Sequence, residues 1–346
     1  MTAAAASVST VHDVRQRTVG LWEFVAETGF ESLVAAASKD PNAKITFLLV
    51  SPQTGAPELA VKAPTTAAAE RAVEAEAHVL AELRTRDLGA LDATIPRVVS
   101  FVEFEQRRAA VITAVPGRPL STAYATRRHT RRPAAVADDF DAAGRWLAEL
   151  QSISLGPVEP LDMDGDVRSR LRARFGDDRF LQADLDCLAS IHARLRLNEV
   201  PRTIVHGDFW YGNVLLSGGR VSGVVDWEAA TVAGEPVRDL VRFANMYALY
   251  LDCRTRPGRQ VRGHRGLRAG AWGAALEYAV CGTGWFPKLY RRFLQDGLAR
   301  LGASRESWRD AALAGIAEVA ALTDHGDFGR LHLELFRRLA AQEVRP

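Results

Sequence analysis

The spacing of apolar residues predicts mixed secondary structure at the start of the chain. Apolar side chains recur at helix-like intervals over residues 11–37, with Gly29 as a break. Two apolar runs then flank the polar stretch 51–57, which contains glycine and proline, and this pattern predicts strand, turn and strand over residues 44–62. The chain is therefore expected to begin with helix and to continue as an antiparallel strand pair.

A long helix and a second strand pair are predicted next. Residues 66–84 place valine, alanine and leucine on one helical face. Two further strands, 97–103 and 109–115, follow and are joined by a polar turn. The sequence Pro-Gly-Arg-Pro at 116–119 then ends this sheet-rich part of the chain.

Beyond residue 119 the pattern becomes helical. Helix periodicity covers residues 138–152, 165–198 and nearly all of 236–346. Two short β-branched runs, 213–217 and 221–226, interrupt it, and a Gly-Gly pair joins them in the manner of a hairpin.

These patterns predict an α+β fold with two lobes. The N-terminal lobe, residues 1–115, would hold a small antiparallel sheet with one main helix and would begin with a helical extension of about residues 1–37. The C-terminal lobe, residues 116–346, would be larger and mostly helical. A length of 346 residues exceeds one typical domain and suits this organisation.

Composition excludes several classes of protein. Apolar residues make up 47% and charged residues 25%, which is ordinary for a soluble globular protein with a sizeable core. A formal net charge of +2 argues against nucleic acid or an anionic membrane as partner, so we interpret the arginine runs at 127–132 and 254–268 as solvated loops.

Three widely spaced cysteines indicate neither disulfides nor zinc. With no signal peptide and no apolar stretch of about 20 residues, we expect a cytoplasmic protein.

The candidate chemistry lies in one polar constellation. His206-Gly207-Asp208 follows the apolar run Thr203–Val205, Asn213 comes five residues after the aspartate, and Asp226 ends a second apolar run. Two acids and an amide thus stand at the ends of adjacent short strands, where their side chains can converge. Phosphoryl transfer needs such a set, because one carboxylate orients the attacking hydroxyl while an amide oxygen and a second carboxylate hold magnesium. Taken singly, each of these residues is explained better by a role in a turn or a cap than by catalysis. All of them together at this spacing are explained better by catalysis.

The constellation resembles that of a known enzyme family. His-Gly-Asp-x4-Asn at 206–213, followed by Val-Val-Asp-Trp-Glu at 224–228, is similar to the aminoglycoside phosphotransferase-like branch of the protein-kinase fold. That branch also includes choline-, fructosamine- and homoserine-kinase-like enzymes. The similarity continues over residues 229–240, where Glu235 replaces the family's usual acid.

The resemblance implies a role for each matching residue. Asp208 would be the catalytic base, and Asn213 and Asp226 would be the Mg²⁺ ligands. Asp239 would be a structural acid that supports the loop, and His206 would organise the loop without shuttling protons.

A weaker resemblance extends into the N-terminal lobe. Ala60-Val61-Lys62 is similar to the strand that carries the family's nucleotide-binding lysine. A strand lysine is usually a solvated surface residue, but this one precedes an acidic helix, as in kinase-type sites that place a glutamate behind the lysine. Glu70, Glu74, Glu76 and Glu82 are candidates for that glutamate, and we choose Glu76, with Glu74 next.

The end of the N-terminal lobe resembles the family's last strand and hinge. Residues 110–120 end in Pro-Gly-Arg-Pro-Leu, similar to the family's Pro-Gly-x-Pro-Leu. This register implies that adenine hydrogen-bonds to backbone groups near Thr113 and Val115.

Two features depart from the family's pattern. No glycine-rich phosphate loop precedes Lys62; residues 36–44 stand there instead, and their backbone amides, with Ser38 or Lys39, would approach the phosphates. Gln151 stands where a helix of the family commonly ends in histidine, which we interpret as structural variation.

The sequence thus predicts a phosphotransferase that uses ATP and Mg²⁺ to phosphorylate a hydroxyl of a small molecule. An aminoglycoside antibiotic, an amino sugar and an unrelated metabolic alcohol are all open as acceptors, because a fold does not determine a substrate. The alternative is a catalytically idle binding or regulatory protein that keeps the fold. The missing glycine loop favours that alternative, whereas the intact set of Lys62, Asp208, Asn213 and Asp226 argues against it. The oligomeric state is left open.

Overall fold

Helices and short strands follow one another along the chain in a computed structural model that describes residues 19–37, 43–126 and 128–342. The α-helices of the described residues are α1 (Leu21–Thr28), α2 (Ala67–Leu83), α3 (Leu120–Tyr124), α4 (Pro133–Ile153), α5 (Val167–Phe175), α6 (Leu181–Leu195), α7 (Val237–Leu249), α8 (Ala274–Cys281), α9 (Trp285–Arg300), α10 (Trp308–Leu322) and α11 (Gly326–Ala340). The strands are β1 (Glu31–Ala37), β2 (Lys44–Val50), β3 (Pro57–Pro64), β4 (Val98–Phe104), β5 (Arg107–Thr113), β6 (Arg118–Pro119), β7 (Val158–Pro160), β8 (Glu199–Pro201), β9 (Thr203–Val205), β10 (Val214–Ser217), β11 (Arg220–Val224) and β12 (Thr231–Gly234).

The chain folds into two units. The first comprises residues 1–117 and 222–230, and the second comprises residues 118–221 and 231–346. The predicted fold class is confirmed, with a small antiparallel sheet in the N-terminal part and mostly helices in the C-terminal part. None of the helices in the described residues is both long and apolar enough to cross a membrane.

A five-stranded antiparallel sheet forms the body of the first unit. Its strand order is β1-β2-β3-β5-β4, so β3 lies at its centre. Val61 and Ala63 of β3 face an apolar core that includes Leu49 and Val111. Since side chains alternate along a strand, Lys62 points to the opposite face, where α2 packs against β3 and β5. The sheet thus places this lysine beneath a helix and away from the edges of the sheet.

The predictions for α2 and for the second strand pair are confirmed. Thr66 caps α2, since its side-chain oxygen accepts the backbone N–H of Ala69 at 3.1 Å. The turn between β4 and β5 is tight, and Glu105 and Gln106 both adopt positive φ angles, of 49° and 64°. This two-residue connection has the left-handed backbone that antiparallel hairpins favour.

The prediction of helix over residues 11–37 is wrong for its last part. The helix α1 ends at Thr28, because Gly29 adopts the left-handed conformation with a φ of 69° and its N–H bonds to the carbonyl of Val25. Residues Glu31–Ala37 form β1, which pairs antiparallel with β2. All seven side chains of β1 are exposed, so this strand is held by backbone pairing. The spacing of its apolar residues therefore does not correspond to a buried face. Residues 11–18 lie outside the described part of the chain.

Aromatic packing between helices forms the core of the second unit. Phe140 of α4 makes edge-on ring contacts with Phe243 and Tyr247 of α7 and with Phe286 of α9. All four side chains are fully buried. The helix α10 also packs against α6, α7 and α11. The position of α7 is therefore fixed from several sides.

Two predictions for the second unit need correction. Residues 250–273, between α7 and α8, form turns in place of the nearly continuous helix that was expected over 236–346. Five glycines of this segment adopt positive φ angles that a helix cannot accommodate: Gly258, Gly263, Gly266, Gly270 and Gly273. The second unit also has more short strand pairs than the single hairpin that was predicted. Among its described residues, β6 pairs with β10, β7 with β8 and β9 with β12.

Candidate active site

The loop between β9 and β10 carries the His-Gly-Asp motif and is anchored by aromatic side chains. Phe209 is fully buried and stacks on Trp146 of α4, with ring centroids 5.2 Å apart. Gly207 adopts a φ of 81°, which favours glycine. The indole of Trp210 lies so close to Gly212 that a Cβ there would be 2.3 Å from it. Both glycines of the motif are therefore required by the local geometry.

The buried carboxylate of Asp239 fixes the start of this loop. Its oxygens accept the backbone N–H of His206 at 2.7 Å and that of Gly207 at 2.9 Å. Burial raises the pKa of Asp239, and the nearby His206 and the two N–H groups oppose that rise. This is the geometry expected of a structural acid that supports the loop.

Asp208 and Asn213 lie side by side within the loop. The amide Nδ2 of Asn213 donates to the carbonyl oxygen of Asp208 at 3.0 Å and to its carboxylate Oδ2 at 3.1 Å. The amide oxygen of Asn213 faces elsewhere, and it accepts no hydrogen bond from the part of the chain that the structure describes. The side chain of Asp208 remains 33% exposed and is accessible to a solute.

Arg242 of α7 pairs with Asp208, a contact that no sequence motif indicates. The guanidinium Nε donates to Asp208 Oδ1 at 2.8 Å, and a terminal nitrogen lies 2.5 Å from the same oxygen. Arg242 stands three residues after Asp239 on one helix, and residues at that spacing share a helical face. That spacing is the one signal by which sequence reasoning could have found Arg242. One helix thus fixes both the start of the loop and its central carboxylate.

Lys62, Glu76 and Asp226 form a charged cluster in the first unit. The ammonium of Lys62 lies 2.5 Å from Glu76 Oε1 and 2.5 Å from Asp226 Oδ1. Lys62 and Glu76 are almost fully buried, at 3% and 1% exposure. Burial lowers the pKa of Lys62, but the two carboxylates outweigh burial and raise the pKa above its usual value. Lys62 is therefore a cation at neutral pH, with two acidic partners.

Glu76, and not Glu74, lies next to Lys62. Glu76 Oε1 also accepts the backbone N–H of Trp227 at 3.0 Å, which joins α2 to the segment that follows Asp226. Glu74 lies on the exposed side of α2, where its nearest cation, Arg108, is 4.0 Å away. Of the two candidates, Glu76 is thus the one that contacts Lys62.

Asp226 occupies a backbone conformation that is uncommon for residues other than glycine. Its φ is 64°, in the left-handed region, and its side chain is 38% exposed. Strained residues of this kind are concentrated at functional sites. The conformation and the ion pair with Lys62 make Asp226 a candidate functional residue of the first unit.

The predicted hinge residues differ in the backbone groups that they leave available. The N–H of Thr113 donates to the carbonyl of Arg97 at 2.8 Å, so this amide is not available to a base. Neither the N–H nor the carbonyl of Val115 makes a backbone hydrogen bond within the described residues. The side chain of Val115 packs on Gly223, where a Cβ would lie 2.5 Å from it. Val115 is therefore the better candidate for contact with adenine.

The departures from the family's pattern have structural explanations where the structure describes them. Gln151 is buried, donates to the carbonyl of Pro236 at 3.3 Å and accepts from Arg300 at 2.9 Å. Glu235 accepts the backbone N–H of Asp162 at 2.9 Å. Both residues thus hold the second unit together. Ser38 and Lys39, which were considered for phosphate contact, lie outside the described residues.

Comparisons with known proteins identify the family and the fold of this chain. The chain matches a family model described as phosphotransferase enzyme family over residues 44–278. A thermostable mutant of aminoglycoside phosphotransferase APH(4)-Ia, in a ternary complex with ADP and hygromycin B, is similar in structure with a TM-score of 0.55. It is 11% identical, and the match covers 92% of this chain and 96% of that chain. No curated protein shows a significant match.

A second solved structure leads to the same fold. A ternary complex of an APH(4)-Ia mutant with AMP-PNP and hygromycin B is 14% identical over 92% of this chain and 98% of that chain, with a TM-score of 0.54. At this identity the structural similarity shows the fold alone. The family model, however, matches well over half of the sequence. The chain therefore belongs to the phosphotransferase enzyme family.

Proposed function

We propose that the chain is an ATP-dependent phosphotransferase that moves the γ-phosphoryl group of ATP to a hydroxyl of a small molecule. The pairing of Asp208 with Asn213 carries this proposal, because it sets an accessible carboxylate beside an amide whose oxygen accepts no hydrogen bond from the described residues. Membership of the phosphotransferase family supports the reaction type. Two structures with the same fold hold ADP or AMP-PNP together with hygromycin B, which supports a nucleotide and a small-molecule acceptor here.

Asp208 is the proposed catalytic base. Its carboxylate would orient the acceptor hydroxyl and take its proton as the new P–O bond forms. Arg242 holds Oδ1 and Asn213 holds Oδ2, so the carboxylate is oriented before an acceptor arrives. Such preorganisation contributes to the rate because phosphoryl transfer depends mainly on positioning and on neutralisation of charge.

Lys62 is the proposed contact for the nucleotide phosphates. Its ammonium has a long stem and three donors, and a polyanion would take up donors that the two carboxylates leave unused. Glu76 is fully buried and would hold Lys62 in place after the phosphates bind. Backbone groups of Val115, with those near Thr113, are proposed to contact adenine.

Asn213 and Asp226 are the proposed magnesium ligands. Both present oxygen, the ligand type that Mg²⁺ prefers, and Mg²⁺ usually takes only one or two protein ligands beside substrate phosphates. Within the described residues no group of three or more His, Cys, Asp or Glu side chains is arranged to hold a metal. A site completed by nucleotide phosphates is therefore the kind that fits this chain. When bound, the ion would neutralise charge on the transferred phosphoryl group.

The acceptor is proposed to be an aminoglycoside, an amino sugar or a similar hydroxyl-bearing metabolite. A screen of ATP consumption across these three classes tests the function directly. We expect turnover with at least one class, and nucleotide binding without turnover for all of them would favour the idle binding protein.

Thermal unfolding with and without magnesium tests the nucleotide site separately. ATP with Mg²⁺ at 100 times its Kd should stabilise the fold by about 2.7 kcal/mol. We expect the Asp226→Ala variant to lose the part of this shift that depends on magnesium, because a carboxylate ligand is absent. An equal shift with and without magnesium in the unaltered protein would contradict the proposed ligands.

A further inference from the structure

A concave surface of the second unit is lined by arginines from two separate stretches of the chain. The cavity has a volume of about 460 Å³, and no acidic residue is among the described residues that line it. Its six arginines are Arg131, Arg254, Arg256, Arg259, Arg262 and Arg268. A smaller neighbouring cavity of about 220 Å³ shares Arg131, Arg254 and Arg262. We name the larger of the two, which the six arginines line, the arginine cavity.

The arginines of the arginine cavity differ in their ion pairing from other arginines of the second unit. In the described part of the chain, none of its six arginines forms an ion pair with a carboxylate. Arginines elsewhere do, as Arg202 does with Glu235 and Arg242 with Asp208. Like charges gathered around one concave surface repel one another, and an anion bound there would relieve that repulsion.

The loop that carries most of these arginines is ordered by its own backbone. The N–H of Gly258 donates to the carbonyl of Ala269 at 2.7 Å, and that of Val261 to the carbonyl of Leu267 at 2.8 Å. Val261, Leu267 and Ala269 are buried, while the arginines between them are exposed. The apolar residues therefore pin the loop and direct its arginines outward.

Two contacts fix this loop to the stretch that carries Arg131. The buried ring of His264 bonds through Nε2 to the carbonyl of Thr130 at 2.8 Å. Gly263 packs so closely that a Cβ there would lie 3.0 Å from Arg131 Cα. The indole of Trp285 also donates to the carbonyl of Gly263 at 2.8 Å. The two groups of arginines are thus held at a set distance before any ligand binds.

We propose that the arginine cavity binds a small molecule that carries two or more phosphate or sulfate groups. The planar guanidinium donates two parallel hydrogen bonds to such groups, and several arginines in one concave site select for more than one of them. The volume lies in the range of small-molecule sites, about 300–1,000 Å³. A net charge of only +2 argues against nucleic acid as the partner of this chain.

The smaller cavity, which neighbours the arginine cavity, adjoins the loop of the candidate active site. Tyr124 lines the smaller cavity and stacks on Tyr211 of that loop, with ring centroids 4.3 Å apart. Tyr211 lies three residues after Asp208. The binding proposal nevertheless rests on the arginines alone, so it stands or falls independently of the proposed phosphotransferase activity.

Calorimetric titration of the full chain with tripolyphosphate, in the absence of magnesium, tests the proposal. We expect binding whose affinity falls as salt is raised, because exposed charges are screened. The double variant Arg254→Ala/Arg262→Ala removes two side chains that line both cavities. It should bind at least tenfold more weakly, which corresponds to about 1.4 kcal/mol.

Arg265→Ala is the matched control, because Arg265 is exposed on the same loop but does not line the cavity. Its affinity should stay within about twofold of the unaltered protein, and the thermal unfolding of all variants should agree, since these side chains are exposed. Unchanged binding in the double variant, or an equal loss in Arg265→Ala, would overturn the proposal. Tighter binding of a single-stranded oligonucleotide than of tripolyphosphate, lost in the double variant, would make the surface a nucleic-acid interface and would also overturn it.

Discussion

Removal of the Glu76 carboxylate should destabilise the protein because it leaves the buried Lys62 short of a partner. Glu76 accepts hydrogen bonds from Lys62 and from the backbone N–H of Trp227, and its side chain is 1% exposed. In Glu76→Ala the one acidic partner left to the ammonium among the described residues would be Asp226, whose side chain is 38% exposed. The N–H of Trp227 would lose this acceptor as well.

The size of the effect follows from these contacts. Breaking a buried ion pair by removing one partner costs about 3–5 kcal/mol, because a charge is left without compensation. Asp226 compensates part of that charge, so we expect a loss of about 3 kcal/mol in the free energy of unfolding. A loss of that size is a large share of the roughly 5–15 kcal/mol that stabilises a typical protein.

Urea unfolding at pH 7, followed by tryptophan fluorescence, measures this loss. Glu74→Ala is the control, since Glu74 lies on the same helix with only a surface contact to Arg108, and it should change stability by less than about 1 kcal/mol. In the double variant Lys62→Met/Glu76→Leu we expect stability to recover, because apolar replacements of a buried pair are often neutral. If Glu76→Ala costs no more than Glu74→Ala, the account of this cluster is refuted.

Three further predictions concern α7 and α11. Asp239→Asn can offer only one oxygen to the two N–H groups of the loop, so urea unfolding should show a loss of about 2 kcal/mol, and full stability would contradict this role. Arg242→Gln should lower kcat roughly 10- to 100-fold through misplacement of Asp208 while nucleotide affinity is kept, and an unchanged kcat would contradict its positioning role. Burial lowers the pKa of His332 from 6.5 to about 4, so the stability present above pH 6.5 should fall by about 3 kcal/mol toward pH 4, because the unfolded chain takes up a proton there that the folded ring does not. Unfolding at pH 7 and pH 4 should show a smaller fall for His332→Gln, and an equal fall in both proteins would contradict this account.

Residues of the candidate site could be proposed from the sequence where the residue type is tied to the local backbone conformation. The loop from His206 to Asn213 is recognisable because the local geometry requires glycine at two of its positions. Gly207 has a φ of 81°, and an indole packs directly against Gly212. Glu76 could be chosen because the helix register turns it toward the strand that carries Lys62. In these places local rules and the overall fold agree.

The features that escaped prediction depend on contacts between distant parts of the chain. The strand β1 is held by backbone pairing with β2 and buries none of its side chains, so hydrophobic spacing could not reveal it. Arg242 is one helical arginine among many until the fold sets it against Asp208. The sequence alone indicates solvated loops for the arginines near 131 and over 254–268. In the fold, the contact of Gly263 with Arg131 places both groups of arginines around one cavity.

The most direct measurement of the proposed function compares phosphoryl transfer and nucleotide binding in Asp208→Ala. Transfer is followed with radiolabelled ATP and the acceptor found in the consumption screen, and nucleotide affinity is followed by calorimetry with magnesium present. The account predicts that transfer falls by about 10²- to 10⁴-fold, the usual contribution of a general base, while nucleotide affinity changes by less than about threefold. Transfer at the rate of the unaltered protein would contradict the assignment of Asp208 and, with it, the proposed mechanism.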